Sequence, residues 1–169
     1  MSQELVDKVY VPSPEEVEKE RQWILNKIDE IGVGVLQNLA QSEAAARNKA
    51  YQPYSKYSVG ASILTVSGTI YSSCNAETVS YTETDHAERS AITKAISEGE
   101  IDVSGRKFIK AIAVSHSGES GPCGGCRQRI AEHADNALIM DVGVRGKIKK
   151  ITSLKILFPY SFNPSHLGM

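Results

Sequence analysis

Residues 57–74 read YSVGASILTVSGTIYSSC. Tyr57 to Leu64 is rich in β-formers, Ser67-Gly68 supplies a turn, and Thr69 to Cys74 returns as a second run, so the stretch predicts a β-hairpin. Pro53-Tyr54-Ser55, just upstream, cannot continue a helix. Downstream, residues 85–99 place Ala87, Ala91, Ile92, Ala95 and Ile96 on one helical face, with Gly99 as the stop. Phe108 to His116 predicts a buried strand, and Gly121-Pro122 opens a helix carrying Cys123, Cys126 and Ile130. Ala137 to Val142 and Lys147 to Ile151 predict two more strands, and Leu154 to Phe158 is a short apolar segment. A hairpin followed by alternating helices and strands predicts a layered α/β domain with a mixed sheet.

Upstream of the hairpin, Ser13-Pro14-Glu15-Glu16 predicts a helix start: serine at the N-cap, proline at the first helical position, glutamate completing a capping box. Val17, Ile24, Leu25, Ile28 and Ile31 recur at helical spacing as one apolar stripe. Gly32 and Gly34 interrupt it. A second helical pattern, with Val35, Leu36, Leu39 and Ala40 on one face, runs to about Ala50. The glycine break divides the chain into an arm and helical extension, residues 1–33, and a core domain, residues 34–169; residues 1 to 12 carry no periodic pattern.

The 169 residues suffice for one domain with a real core. A net charge of −1 leaves no broad basic face for a phosphate backbone, so a nucleic-acid partner is disfavoured. Three cysteines, two of them spaced C-x-x-C, suit metal ligation in a reducing compartment better than a disulfide framework. No apolar run is long enough for a membrane span, and the first residues are too acidic and polar for a secretory signal, which predicts a cytoplasmic protein without a membrane partner.

Two short stretches carry the chemistry: His86-Ala87-Glu88 and Pro122-Cys123-Gly124-Gly125-Cys126. His86, Cys123 and Cys126 offer one imidazole and two thiolates, a set that leaves the fourth tetrahedral position of a zinc ion open, as catalytic sites require. Each cluster begins a predicted helix, where unpaired N–H groups favour the thiolate a metal needs. His86 and Glu88 point roughly 200° apart on a regular helix, so only a first turn beside the ion can use both. Glu88 is then the proton-transfer group, and His-x-Glu followed by Pro-Cys-x-x-Cys is the signature of zinc-dependent nucleobase deaminases. Asp85 to Glu88 also fits a capping box, in which Glu88 only serves a backbone N–H. Cys74 reads as a buried strand cysteine, and His133 and His166 as structural or exposed. His116 could border the pocket, because its loop leads to the cysteine pair.

The chain resembles the cytidine deaminases of nucleoside salvage from about Leu39 to Leu167. Tyr51 to Ala61 is similar to the family's opening motif, where an aromatic at the position of Tyr57 lies against the pyrimidine. Asn75-Ala76-Glu77 resembles the pair that binds the ribose hydroxyls, and Tyr81 falls at the family's spacing. Leu157 to Pro164 is similar to the C-terminal segment, in which the aromatic at the position of Phe162 closes a pocket, commonly in a neighbouring subunit. The resemblance implies a three-layer α/β/α sandwich around a mixed sheet of about five strands, here with an extra N-terminal helix. It implies one zinc ion per subunit on His86, Cys123 and Cys126, with Glu88 catalytic. It further implies a substrate pocket of Tyr57, Asn75, Glu77, Ala87 and Phe162, and a homo-oligomer, a tetramer before a dimer. The Arg89 position offsets thiolate charge in members with three cysteine ligands; with His86 in place of one, that role is reduced.

The expected reaction is hydrolytic deamination of cytidine and deoxycytidine. The nearest rival is deamination of a modified cytosine nucleoside, such as an antibiotic of the blasticidin type. A nucleic-acid editing deaminase and a structural zinc module are more distant. The last requires a fourth ligand, which the sequence does not offer.

Overall fold

The computed structural model describes residues 12–115 and 121–168. Residues 1–11 of the expected arm, and His116, lie outside the described residues.

Two helices occupy most of residues 14–47. Helix α1, Pro14–Ile31, starts with the predicted box: Glu16 N–H donates to Ser13 Oγ, and the Glu16 carboxylate accepts from Ser13 N–H at 2.8 Å. Gly32 follows at φ +86°, a backbone conformation that glycine adopts without strain. Helix α2, Val33–Arg47, begins one residue later, so Gly32 alone makes the break and Gly34 lies inside α2. The helix stops at Arg47, short of the expected Ala50.

A five-stranded sheet follows, in the order β2-β1-β3-β4-β5. The strands are β1, Gly60–Thr65; β2, Ile70–Cys74; β3, Ile109–Ser115; β4, Leu138–Val142; and β5, Ile148–Ser153. Strand β1 pairs antiparallel with both β2 and β3, β3 runs parallel to β4, and β4 antiparallel to β5. A parallel pair needs a crossover, and helix α5, Gly124–Glu132, provides it. Helix α3, Ala87–Ser97, links β2 to β3 together with α4, Glu100–Ser104, and α6, Leu154–Leu157, is one turn after β5.

Because strand side chains alternate between faces, β3 and β4 build two cores at once. Ile112, Val114 and Ile139 join Ile63, the alanines of α3, Phe108 and Ile130 on one face. Ala111, Ala113, Leu138, Met140 and Val142 meet Leu36, Leu39 and Ala40 of α2 on the other. The result is the expected α/β/α sandwich around a mixed sheet.

The extra helix α1 packs on the second core through Trp23, Ile24, Ile28 and Ile31, and ties to it through Lys110–Glu30 at 3.1 Å and Asn136 to Glu20 at 2.9 Å. The expected apolar stripes hold only in part. Val17 lies in the first turn of α1, Leu25 is turned about 100° from Ile24, and Val17 and Leu25 are exposed, as is Val35 of α2. In α2 the buried stripe is Leu36, Leu39, Ala40 and, unexpectedly, Glu43. Helix α4 was not anticipated, since five residues are too few to show a helical period.

Candidate active site

The two motifs meet at the starts of α3 and α5. His86 is the N-cap of α3 and Cys123 the N-cap of α5, both with extended backbone, and Cys126 is the third residue of α5. Both helix N-termini therefore face one point. The loop before α3 is fixed by Ala76, which bridges Tyr51 on one side and Asp85 on the other.

His86 Nδ1 lies 3.6 Å from Cys123 Sγ and 3.4 Å from Cys126 Sγ, and the three ligand atoms all fall within 4.8 Å of one another. An ion with nitrogen at about 2.1 Å and sulfur at about 2.3 Å in tetrahedral geometry keeps N and S about 3.6 Å apart. The donor set fits zinc in both type and spacing. Burial, then the nearby Glu88 carboxylate and Cys123, push the Cys126 thiol far up, against the thiolate that a helix start alone favours. A divalent cation reverses that cost by stabilising the thiolates directly.

Glu88 is buried in the first turn of α3. No side chain caps that helix, so the capping box that Asp85 and Glu88 could form is absent. With that use excluded, the Glu88 carboxylate is a wall of the adjoining cavity.

That cavity measures about 260 Å³. Tyr57, Asn75, Glu77, His86, Ala87, Glu88 and Cys123 line it, together with Ser55, Val59, Thr84, Val114 and Gly121. Asn75 anchors its floor: Oδ1 accepts from Val59 N–H at 2.8 Å, and Nδ2 donates to the Tyr57 carbonyl at 2.9 Å. Glu77 grips the opposite turn, accepting from Tyr54 N–H at 3.0 Å, from Ser55 N–H at 3.1 Å and from the Ser55 hydroxyl. The Ser55 hydroxyl first, and then the two N–H groups, outweigh desolvation and hold the Glu77 carboxyl below its usual range. A carboxylate has about four acceptor positions, so Glu77 keeps one for a ligand.

Of the expected pocket residues, Phe162 lies elsewhere in this chain, as its expected place in a neighbouring subunit's pocket allows. Phe162 is 56% exposed, stacked on His166, and does not line the cavity. Tyr81 is exposed and packs edge-on against Tyr54. Arg89 is exposed on α3 and lines a second cleft that His86, Cys123 and Cys126 also line, and among the described residues it makes no ion pair. Ser55 had no assigned role in the sequence reading. Its only signal was its place between Tyr51 and Ala61. Cys74 is half-buried rather than buried. His133 is buried, with Nδ1 3.1 Å from the Arg106 carbonyl.

The model of the cytidine and deoxycytidylate deaminase zinc-binding region matches residues 35–142. The chain belongs to this family. Family membership makes it a zinc-dependent hydrolase of the cytidine deaminase type, and the match spans both motifs. Among curated relatives, a cytidine deaminase of Sporosarcina psychrophila is 40% identical over 136 residues, covering 79% of this chain and 95% of that protein. One of Halalkalibacterium halodurans is 37% identical, covering 72% and 89%. Among solved structures, the cytidine deaminase of Burkholderia pseudomallei superposes with a TM-score of 0.63 at 33% identity, covering 74% of this chain and 97% of that one. That of Mycobacterium tuberculosis gives 0.58 at 31%, covering 73% and 94%. Among the described residues, no helix is long and apolar enough to cross a membrane.

Proposed function

We propose that this deaminase-family chain converts cytidine and deoxycytidine, with water, into the corresponding uracil nucleosides and ammonia. The observation that carries the proposal is Glu88: a buried carboxylate with no capping duty, on the wall of a cavity that His86 and Cys123 of the ligand cluster also line. Zinc held by those three residues supplies a hydrolytic nucleophile at neutral pH. Glu88 takes one proton from the attacking water and gives it to the ring nitrogen, then takes the second from the hydroxyl which that water leaves on the ring carbon and gives it to the departing amine, so that ammonia leaves neutral. Tyr57 lies against the pyrimidine. Asn75 and Glu77 meet the ribose hydroxyls with the hydrogen-bonding capacity their loop contacts leave over, and Ala87 contributes to the pocket wall.

Substrate size and charge support a free nucleoside. About 260 Å³ lies just below the usual range of ligand sites, which favours a small molecule over a polymer. The Glu77 carboxylate repels a nearby phosphate, and the net charge of −1 offers a polynucleotide no basic face. The relatives are named cytidine deaminases, which favours the ordinary nucleosides over a modified one.

The same reading assigns catalysis to residues 34–169, with 1–33 an appended extension, and places the enzyme in the cytoplasm, in pyrimidine salvage. It also makes the protein a homo-oligomer, a tetramer before a dimer, in which the exposed Phe162 closes a neighbour's pocket. Metal analysis combined with turnover of cytidine, deoxycytidine and a blasticidin-type nucleoside tests the reading. Turnover of the first two by a zinc-loaded protein supports it, and a preference for the modified nucleoside with poor cytidine turnover overturns it. Sedimentation tests assembly, which a fully active monomer contradicts.

A further inference from the structure

Of the three ligands, Cys123 is the exposed one and sits ahead of the helix, at its N-cap. Its carbonyl takes the first helical bond of α5, from the backbone N–H of residue 127 at 2.9 Å. The peptide ahead of it is held by a side chain: Arg127 Nε donates to the Pro122 carbonyl at 2.6 Å. The same guanidinium reaches out of the site: Nη1 donates to the Leu157 carbonyl at 2.8 Å, at the end of α6. The next residue, Gln128, donates from Nε2 to the Phe162 carbonyl at 2.7 Å. Contact is close there, since a Cβ placed on Gly121 would lie 3.3 Å from Leu157 Cδ1.

We infer that Arg127 is a positioning residue that orients the Cys123 thiolate for the metal and couples the metal site to the C-terminal segment 154–163. The inference rests on the zinc reading proposed above. A planar guanidinium can donate in two directions at once, and a lysine ammonium at the end of a flexible stem cannot hold both carbonyls in that geometry. Residues that orient metal ligands typically cost 10- to 100-fold in affinity when replaced. Coupling is reciprocal, so losing the metal loosens the segment just as losing the arginine loosens the metal.

The test uses zinc-loaded parent, Arg127→Lys and Gln128→Ala proteins, and follows zinc release to a colorimetric chelator without any substrate. The inference predicts release from Arg127→Lys about 10- to 100-fold faster than from the parent. Gln128→Ala, which removes the bond to the Phe162 carbonyl and leaves the Arg127 bond to Pro122 in place, releases at the parent rate. Parent-like release from Arg127→Lys overturns the inference, as does equally fast release from Gln128→Ala. Hydrogen exchange of the unaltered protein gives a second arm that needs no variant to fold. Stripping zinc speeds exchange in residues 154–163 by about 5- to 150-fold while α1 exchanges as before, and unchanged exchange in that segment overturns the coupling. A parent chain that takes up no zinc overturns the metal reading itself, and this inference with it.

Discussion

Gly60 lies so close to Glu43 that a methyl group on it has no room. An added Cβ would sit 2.3 Å from Glu43 Oε1 and 2.6 Å from the Glu43 carbonyl oxygen. Strand β1 enters the sheet against α2 through this contact, and Val59, one residue earlier, lines the cavity. The backbone carbonyl cannot swing away as a side chain can. Gly60→Ala is therefore expected to destabilise the fold by about 2 kcal/mol or more, read as a lower urea midpoint at an unchanged slope.

Glu43 itself predicts an unusual pH dependence. The residue is fully buried; Ser115 Oγ donates to one carboxyl oxygen, and the other has no partner among the described residues. Burial pushes its carboxyl up from 4.5 to about 7. A folded pKa above the unfolded one contributes stability that is full below 4.5 and is lost as pH rises through about 7. Glu43→Gln removes that dependence. Compared with the parent, the variant gains on the order of 3 kcal/mol between acid and alkaline pH, measurable as the difference between the two urea unfolding profiles across that range.

Glu77 predicts the opposite sign. Hydrogen bonds led by the Ser55 hydroxyl lower its carboxyl, so its contribution is present above 4.5 and is lost as pH falls through the lower folded value. Glu77→Gln is expected to unfold at lower urea than the parent near neutrality and to converge with it in acid. In steady-state kinetics the same variant raises KM for cytidine more than it lowers kcat, as loss of ribose contacts requires.

The layered α/β fold was legible because hydrophobic period and turn residues agree across β1 to β5. The Ser67-Gly68 turn and the Ile109 to Ser115 run each have one reading. Less legible was anything decided between elements. Val17, Leu25 and Val35 match a helical stripe, yet each helix packs on one side only, and period alone does not say which stripe docks. The metal triad was legible through its residue types and order, and its placement at two helix starts followed from the loops before them. Ser55 and Glu43 were not legible, because a hydroxyl that shapes a carboxylate and a carboxylate buried beneath a glycine are facts of distance. Phe162 reads as a pocket residue by its motif but lies outside the cavity of its own chain.

Removal of the extension separates stability from chemistry. A chain beginning at residue 34 loses the packing of Trp23, Ile24, Ile28 and Ile31 on the second core and the Lys110–Glu30 pair. It is expected to melt lower than the parent while keeping zinc, because His86, Cys123, Cys126 and Glu88 lie on the other side of the sheet. Calorimetry and metal analysis on the same sample check both halves of that expectation.

The most direct measurement is made on Glu88→Gln, an isosteric change that keeps the buried volume and removes proton transfer. Zinc content and cytidine deamination are measured on one preparation. Full zinc occupancy with kcat lowered by at least about 10²- to 10⁴-fold is the predicted result. Full occupancy with parent-like turnover would contradict Glu88 as the group that moves the protons.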